Sequence, residues 1–415
     1  MIPRQFHLPE IRGATLIKIT VGMLSLFIAQ GRANELKIGV LTDLSGVNSD
    51  NTGTGMVASV KMAIADFGGK AVGAPVTVLT ADHQSRPDIG AAIARRWYEI
   101  DGVDAIVDVS QTNIAFPISD LAAKYNRVFS TGAASTSFSD DRCSANTLQW
   151  SHDTYTMSFG PSRLLVEDGY KTWFYLAVDY AFGLDLVEKS SATVRAAGGK
   201  VLGSVRHPLG ASDLSSFLLT AQSSAAQVLA IASAGDDVNE AVKEAQEFGL
   251  AASGTKLATL FGVINNVHAL GLKVGKGLYV TESFYWDLND DTSAFARRFF
   301  ETTGKMPNLT QAAQYSFVTH YLKTIDRFAR DDVDKMHDGR WVVERMKSWP
   351  TEDPIFGKAY LRKSGRHVHD FYVFQVKAPE ESKGAWDYYK LLKSYKGDSA
   401  YLPLSQSRCP LDKEP

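Results

Sequence analysis

The sequence predicts an α/β protein made of two similar lobes, each with a parallel β-sheet covered by helices. Short apolar segments alternate with amphipathic helices along most of the chain. The alternation is interrupted near residues 151–155 and begins again near Lys171, which divides the chain into two similar halves. Strands that alternate with helices of this length form parallel sheets with helices on both faces.

Length and composition are typical of a globular protein with two or three cores. The chain has 415 residues, of which 45% are hydrophobic and 22% charged. This composition excludes a disordered chain, a collagen-like repeat and a small disulfide-rich protein. The formal net charge of −2 leaves no basic surplus, so we expect no nucleic-acid partner.

The first 33 residues have the pattern of a cleavable signal peptide. Basic residues precede the apolar run 19–29, and the small residues Gly31 and Ala33 stand before the expected cut at Asn34. This run is too short to span a bilayer, which disfavours the alternative of an uncleaved membrane anchor. We therefore predict that residues 1–33 are removed and that the mature chain is exported.

Because the mature chain is predicted to be exported, its two cysteines are candidates for a disulfide. In an oxidising compartment Cys143 and Cys409 have one possible intramolecular pairing, and the alternative is two buried free thiols. We predict the disulfide. It would connect the C-terminal tail to a distant segment. Because it would also restrict the unfolded chain, it would raise the free energy of unfolding by up to about 5 kcal/mol.

The first half alternates strictly between strands and helices. Four strands are predicted at KIGVLTDLSG, PVTVLTAD, DAIVDV and RVFSTG. The first connecting helix ends at Gly68, the second begins at Asp88 and the third extends through Leu121. In the second helix four apolar residues share the face predicted to contact the core: Ile89, Ile93, Trp97 and Ile100.

The second half repeats this organisation and then changes. Five strands are predicted at KTWFYLAVDY, KVLGSVRH, QVLAIASAG, KLATLFG and GLYVTES. Asp237 and Glu240 have capping-box spacing at the start of one helix, which stops at Gly249. From Asp290 onward the pattern is helical, and a last apolar strand follows at 371–376.

The loops after the strands are the place to look for a ligand site, because open parallel sheets bind ligands beyond the carboxyl ends of their strands. Hydroxyl and backbone N–H groups in the first-half loops could hold a carboxylate without a counter-charge. The second-half loops add aromatic surface. The alternative is that these residues cap the following helices. The loops are TDLSGVNSDNTGTG at 42–55, SQTN at 110–113, TGAAST at 131–136, DYAFG at 179–183, SAGDD at 233–237 and FYW at 284–286.

Enzyme and metal motifs are weak. Gly53-x-Gly55-x-x-Ala58 matches a dinucleotide fingerprint, but it stands too far after the first strand for the required tight turn. A calcium-like loop from Asp287 lacks the required glycine. The pair His367-x-His369 is interpreted as a solvated pair at a sheet edge. We therefore predict neither a metal nor a cofactor.

Several longer motifs together resemble a known family. They are IGVLTDLSG, ADHQSRPDIGAAIARRWYEIDGVDAIVDV, FSTGAAST, DYAFG, ESFYWDLND and PNLTQAAQYSFVTHYL, and the similarity extends over residues 35–395. The chain resembles substrate-binding proteins of ABC importers in the leucine/isoleucine/valine-binding class, especially the subgroup for aromatic acids, amides and related compounds. The resemblance implies the type I periplasmic binding protein fold, in which two Rossmann-like lobes are joined by three crossings and close over one small molecule.

The resemblance implies discontinuous lobes. Lobe 1 is expected to contain residues 34–153 and 283–352. Lobe 2 is expected to contain residues 154–282 and 353–395. Residues 396–415 form a C-terminal tail.

The resemblance also implies which residues contact the ligand. Thr112, Ala133 and Ser135 match the family's clamp for a ligand carboxylate, and Phe182 matches its aromatic wall. We expect Tyr285 and Trp286 to stack on the ligand as well. The complete set of predicted ligand residues is Ser110, Gln111, Thr112, Ala133, Ala134, Ser135, Asp179, Phe182, Ala234, Asp236, Phe261, Tyr285 and Trp286.

Two positions depart from the amino-acid binders of this class. Ala234 stands where the family has a tyrosine, and Phe261 stands where it has the acid that binds the ligand ammonium. Facing an apolar ring, an ammonium would lose a charge-assisted bond worth about 1.5–3 kcal/mol. Asp50, Asp179 or Asp236 could compensate. The departure favours an aromatic or hydrophobic carboxylate over an amino acid.

The resulting prediction is a non-enzymatic, monomeric binding protein of the periplasm. It would capture a small carboxylate and deliver it to an ABC permease in the inner membrane. Within this class, a branched-chain amino acid or an amide or urea is the alternative ligand. Outside it, the alternatives are an exported NAD-type oxidoreductase and a sensory module, of which the latter usually needs a following membrane helix.

Overall fold

The computed structural model describes Met1 and residues 35–413. Apart from Met1, the predicted signal peptide lies outside the described residues. Among the described residues, no helix is both long and apolar enough to cross a membrane.

The first sheet has six strands in the order β2–β3–β1–β4–β5–β6. All its pairs are parallel except the short β2–β3 pair. The strands are β1 (Leu36–Thr42), β2 (Lys70–Ala71), β3 (Ala74–Asp82), β4 (Ala105–Asp108), β5 (Val128–Thr131) and β6 (Thr147–Gln149), and the helices between them are α1 (Gly53–Asp66), α2 (Pro87–Arg96) and α3 (Thr112–Tyr125). Since β1 ends at Thr42 and α1 begins only at Gly53, the glycines of the dinucleotide-like motif lie on a helix and not in a tight turn.

The second sheet begins after helix α4 (Thr154–Glu167). Its parallel strands and their helices follow one another in the chain as β7 (Thr172–Val178), α5 (Ala181–Ala196), β8 (Lys200–His207), α6 (Ser215–Ser223), β9 (Val228–Ala232), α7 (Asp236–Glu247), β10 (Lys256–Thr259), α8 (Ile264–Gly275) and β11 (Tyr279–Glu282). Helices α9 (Asp290–Thr303), α10 (Leu309–Phe328) and α11 (Gly339–Lys347) then return to the first lobe, where α9 and α10 pack on α1.

The chain crosses between the lobes for a third time through a small antiparallel sheet. This sheet contains β12 (Thr351–Asp353), β13 (Gly357–Leu361) and β14 (His367–Val368) and bridges to β6 through Gln149 and Arg366. The second sheet is then completed by two antiparallel strands, β15 (Phe371–Val376) and β16 (Tyr389–Tyr395), in the order β16–β15–β11–β10–β9–β7–β8. The predicted lobe boundary at 352/353 thus precedes the point where the chain reaches the second sheet. The two-lobed α/β fold predicted from the sequence is confirmed.

Central strands are buried on both faces, as a parallel sheet covered by helices requires. Every residue of β4, β5 and β9 is buried, whereas β8 at a sheet edge alternates between exposed and half-buried positions until its last residue, His207, which is buried. Helix starts are fixed by side chains that accept backbone N–H bonds: Asp153 caps α4, with 2.7 Å to the Thr156 nitrogen, and Asn308 caps α10.

Two local predictions about helices are wrong. Ile100 is 66% exposed, because a π-helical turn over Trp97–Asp101 ends α2 and turns Trp97 and Tyr98 toward the core instead. The capping box at Asp237 is not formed either. Helix α7 begins at Asp236 after Gly235, and the Asp237 carboxylate accepts the Gly210 N–H at 2.9 Å.

The C-terminal tail runs from β16 back to the first lobe. The predicted disulfide between Cys143 and Cys409 is present, with the two Cα atoms 5.7 Å apart. Next to it, Arg408 bonds the carboxylate of Asp140 at 2.6 and 2.9 Å. The tail is thus held covalently and by an ion pair against the first lobe.

Candidate functional site

The carboxyl ends of the two parallel sheets face each other across a closed cleft. The Asp236 N–H donates to the carbonyl of Val47 at 3.1 Å, and the Asn265 side chain donates to the carbonyl of Asp50 at 3.1 Å. Gly235 permits this approach: its φ is +60°, and a Cβ there would occupy the space of the Val47 carbonyl oxygen.

A narrow pocket lies between the lobes at this point. Its cavity volume is about 20 Å³. Because side chains of both lobes meet here, a ligand larger than one or two waters enters only when the lobes separate. The lining residues are Asn48, Asn51, Thr52, Ser110, Gly132, Ala134, His152, Tyr180, Phe182, Ala234, Phe261 and Thr310.

Polar side chains of the first lobe form one wall of the pocket. The amide nitrogen of Asn51 and the hydroxyl of Ser110 are buried and have no hydrogen-bond partner among the described residues. The hydroxyl of Thr112, two residues after Ser110 at the start of α3, is in the same state. Unpaired buried donors are costly, so such a cluster indicates a place where a ligand supplies the acceptors.

Aromatic rings of the second lobe form the opposite wall. The Phe261 ring meets the Phe182 ring edge-on, with centroids 5.9 Å apart, and the Tyr180 ring lies 5.9 Å from Phe182. His152, on the first crossing between the lobes, stacks on Phe261 at 4.7 Å. Flat apolar ligands pack favourably between such rings.

The pocket is electrically neutral. Its lining residues include no Asp, Glu, Lys or Arg. Burial lowers the pKa of His152 to about 3, and the positive charge of nearby Arg366 contributes to this shift, so the imidazole is uncharged at neutral pH. The pocket therefore offers hydrogen-bonding dipoles and rings to a ligand but no counter-ion.

Five of the predicted residues line this pocket: Ser110, Ala134, Phe182, Ala234 and Phe261. Four of them lie on loops after strands of both sheets, and Phe182 is the second residue of α5. The structure thus brings together the small or hydroxyl-bearing residues of one lobe and the rings of the other.

Four predicted residues lie beside the pocket and bond other protein groups or face the interior. Gln111 donates to the Ser85 hydroxyl at 2.6 Å, the Ala133 N–H donates to the Thr131 hydroxyl at 3.0 Å, and Ser135 donates to Asp185 at 2.9 Å. Thr112 is buried at the start of α3, as described above.

The other four are not among the lining residues. Asp179 and Asp236 are exposed, and Asp179 pairs with Arg206 at 3.5 Å. The Tyr285 hydroxyl and the Trp286 indole nitrogen both donate to the carbonyl of Trp386 at 2.9 Å. Tyr285 belongs to the hydrophobic core of the second lobe, and the partly buried Trp286 packs against this core.

Sequence reasoning missed several pocket residues. Asn51 and Tyr180 stand on two of the loops predicted to meet a ligand, but nothing local distinguishes them from their neighbours there, and Thr310 stands at the start of α10. His152 lies in the segment that interrupts the strand–helix alternation, and that interruption was the available signal.

The pair His367 and His369 is not solvated, and the prediction of an exposed edge pair is wrong. Both are buried: His367 stacks on Trp150 at 4.1 Å, and His369 stacks on Phe356 at 3.9 Å. Burial lowers the pKa of His369 to about 3. The small sheet is covered on this side, which the sequence pattern of β14 does not reveal.

Among the described residues, one group has the composition and spacing to hold a metal ion, namely Asp43, Asp82 and His83. Its carboxylates already accept backbone N–H bonds of their own loops, from Gly46 at 2.6 Å and from Gln84 at 2.7 Å. These bonds stabilise the loops after β1 and β3, and we assign no metal ion to these three side chains.

Comparison with known proteins agrees with this architecture. Residues 35–385 match a family model described as periplasmic binding protein. A periplasmic binding protein of Burkholderia mallei is 42% identical, with a TM-score of 0.87 and coverage of 91% of this chain and 99% of that one. A branched-chain amino acid ABC transporter periplasmic ligand-binding protein of Burkholderia xenovorans LB400 is 36% identical, with a TM-score of 0.81 and coverage of 91% and 100%.

A more distant structure shows the same fold. It is a solute-binding protein of an ABC transporter from R. palustris in complex with benzoate, 17% identical, with a TM-score of 0.79 and coverage of 91% of this chain and 100% of that one. Proteins of this kind bind small molecules and deliver them to a membrane permease. The chain belongs to the type I periplasmic binding proteins of the Leu/Ile/Val-binding class, the solute-binding components of ABC importers.

Proposed function

We propose that the protein captures a small carboxylate between its lobes, with an aromatic or hydrophobic acid favoured, and hands it unchanged to an ABC permease. The observation that carries the proposal is the pairing of a wall of rings with a wall of uncharged donors. Phe182 and Phe261 would stack on the ligand, while Asn51 and Ser110 would donate to its carboxylate.

The absence of an acid among the lining residues favours this ligand class over an amino acid. An α-ammonium group needs a carboxylate partner when it leaves water, because a buried unpaired charge is costly. Phe261 stands where amino-acid binders of this class are expected to carry that acid. A carboxylate, in contrast, can be held by neutral hydroxyl and amide donors.

The comparison structures support an aromatic acid as ligand only because proteins of the same fold bind such acids. The R. palustris relative shows that this two-lobed architecture accommodates benzoate, but its 17% identity carries over no residue. Binding would proceed by lobe closure. A ligand shifts the population toward the closed form by its higher affinity for that form.

A branched-chain amino acid is the second candidate. The B. xenovorans relative is described as the periplasmic ligand-binding protein of a branched-chain amino acid ABC transporter, and one buried acid lies close to Tyr180 of the aromatic wall. This acid is Asp237, whose second carboxylate oxygen is buried without a partner and whose charge acts on Tyr180. Burial raises the pKa of Asp237 to about 6. It would serve an ammonium group only if Tyr180 moved aside.

A thermal-shift screen tests the proposal. The panel contains benzoates, cinnamates, aliphatic acids, amino acids, amides and ureas, each with the mature protein. A ligand at 100 times its dissociation constant adds about 2.7 kcal/mol, which for two lobes that unfold together is an increase in Tm of about 3 °C. If amino acids alone stabilise the protein, the ligand class proposed here is wrong.

The remaining parts of the proposal have their own tests. We infer that the protein is periplasmic after cleavage before Asn34, works as a monomer and performs no reaction. N-terminal sequencing of the exported protein checks the cut, and light scattering checks the monomer. Mass spectrometry of the released ligand checks that it is unchanged, and a thermal shift with NAD would instead favour the oxidoreductase alternative.

A further inference from the structure

Asp185, on helix α5 of the second lobe, bonds the loop after β5 in the first lobe. Its carboxylate oxygen Oδ2 accepts the Ser135 hydroxyl at 2.9 Å and the Thr136 backbone N–H at 3.2 Å. The same oxygen accepts the hydroxyl of Thr154, the first residue of α4, at 2.6 Å. One carboxylate oxygen thus joins both lobes to the start of the segment that connects them.

The position of Asp185 excludes a role in capping its own helix. It is the fifth residue of α5, so its side chain lies beyond the first-turn N–H groups that need caps. All three bonds lead to other segments of the chain. The side chain is 14% exposed, and Lys189 one turn further along lies 3.7 Å from its other oxygen. Hydrogen bonds to a largely buried carboxylate are stronger than those between neutral groups.

The bonded donors are part of the predicted ligand clamp. Ser135 is one of the residues that the family resemblance assigns to the carboxylate of a ligand. In this structure a carboxylate of the protein itself accepts the Ser135 hydroxyl, and it shares the adjacent N–H of Thr136 with the hydroxyl oxygen of Thr154, which lies 3.0 Å from the Thr136 nitrogen. The unpaired donors of Asn51 and Ser110 are not bonded to Asp185, and they line the pocket together with Ala134, the residue before Ser135.

We propose that Asp185 supplies an internal carboxylate to the donors at Ser135 and Thr136, which latches the lobes together and keeps a ligand carboxylate out of this part of the cleft. The ligand is thereby directed to Asn51 and Ser110. The exclusion of a ligand rests on the proposed function, whereas the latch does not.

Small-angle X-ray scattering of the ligand-free protein tests the latch. Asp185→Ala removes the carboxylate and keeps a residue that favours helices. Loss of bonds to a charged group lowers the ratio of closed to open protein at least about tenfold, so the radius of gyration increases. The matched control is Glu188→Ala, which changes an exposed acid on the same helix and is expected to leave the scattering unchanged.

Formate, a small carboxylate, tests whether the donors at Ser135 and Thr136 bind a carboxylate. In Asp185→Ala, added formate is expected to restore the compact form by occupying the vacated donors, while chloride at equal ionic strength does not. Formate is expected to have no such effect on the double variant Ser135→Ala/Asp185→Ala. Since no ligand of the pocket takes part, failure of this experiment is distinguishable from failure of the proposed function.

Each outcome decides the proposal. Scattering of Asp185→Ala identical to that of the wild type would overturn the latch, and so would a ligand-free wild type that is already open. Opening that formate does not reverse would overturn the assignment of these donors to a carboxylate. If Asp185→Ala does not fold, Ser135→Ala replaces it, because this variant keeps the acid and loses one donor of the other lobe.

Discussion

The carboxyl group of Asp108 gives a sharp prediction about the first lobe. Asp108 ends β4 beside the pocket, and its carbonyl accepts the N–H of Gly132, a lining residue, at 2.5 Å. Burial raises the pKa of this carboxyl from its usual 3.8 to about 7; the Thr42 hydroxyl offsets part of the increase, and the Asp43 carboxylate adds to it.

The size of the effect on the free energy of unfolding follows from the difference in the pKa of Asp108 between the folded and unfolded chains. Between pH 3.8 and pH 7 the folded chain holds a proton on Asp108 that the unfolded chain has lost, so the free energy of unfolding falls as the pH rises. Each unit of pKa difference corresponds to 1.36 kcal/mol, which gives a total of about 4 kcal/mol. Asp108→Asn keeps the group neutral at every pH. We expect the variant to match the wild type at pH 4 and to be more stable by up to about 4 kcal/mol at pH 8.

The Asp108→Asn substitution is not expected to strain the backbone. Asp108 has a φ of +75°, and asparagine tolerates this left-handed region as well as aspartate does. The assay is urea unfolding of both proteins from pH 4 to pH 8, followed by far-UV circular dichroism. Asp179→Asn, an exposed acid, is the control and should give a small difference at every pH. A stability difference between Asp108→Asn and the wild type that does not change with pH would refute the reasoning.

Three further predictions concern the disulfide, the closed cleft and the ring wall. Reduction of the Cys143–Cys409 bond, or Cys143→Ser with Cys409→Ser, should lower the free energy of unfolding by up to about 5 kcal/mol, because it releases a loop that spans 266 positions; urea unfolding with and without reductant measures this. Gly235→Ala should weaken ligand binding and expand the ligand-free protein, since a Cβ there collides with the carbonyl of Val47 and its φ is positive; calorimetry and scattering check both effects. Phe261→Leu should weaken binding of an aromatic acid about 2–12-fold through loss of ring stacking, measured by calorimetry with the best acid of the screen.

Each of these three predictions has a result that would contradict it, and the prediction for Phe261→Leu also has a control variant. Phe300→Leu changes an exposed ring on α9 and should leave affinity unchanged, so an equal loss in both phenylalanine variants would contradict the ring wall. Unaltered affinity and compactness in Gly235→Ala would show that the lobes do not approach as closely in solution. Equal urea midpoints with and without reductant would contradict a stabilising disulfide.

Much of the fold was predictable because strand and helix signals are local. Buried strands such as β9 consist of continuous apolar residues, and the helices between the strands have apolar faces and glycine stops. The exceptions have local physical causes. Ile100 was predicted on the core face of an ideal helix, and a π-helical turn at Trp97–Asp101 changed the direction of that face.

The site was predictable only in part, because its residues meet through tertiary structure. Ser110, Phe182 and Phe261 follow strands and could be found by the rule that ligands bind beyond strand ends. Tyr285 also follows a strand, yet it is buried in the core of the second lobe and its hydroxyl donates to the backbone carbonyl of Trp386, and nothing local distinguishes it from Phe261. His152 gave only the weak signal of an interrupted pattern.

By itself, the sequence determined that this chain forms two α/β lobes with polar loops on one and aromatic loops on the other, because periodicity and composition act within a few residues. Only the tertiary structure decided which of these loops share the cleft, that Asp185 reaches Ser135 across it, and that His367 is buried instead of solvated. Those outcomes depend on contacts between residues far apart in the chain, whose relative positions are set by how the two sheets pack and how the crossings join them.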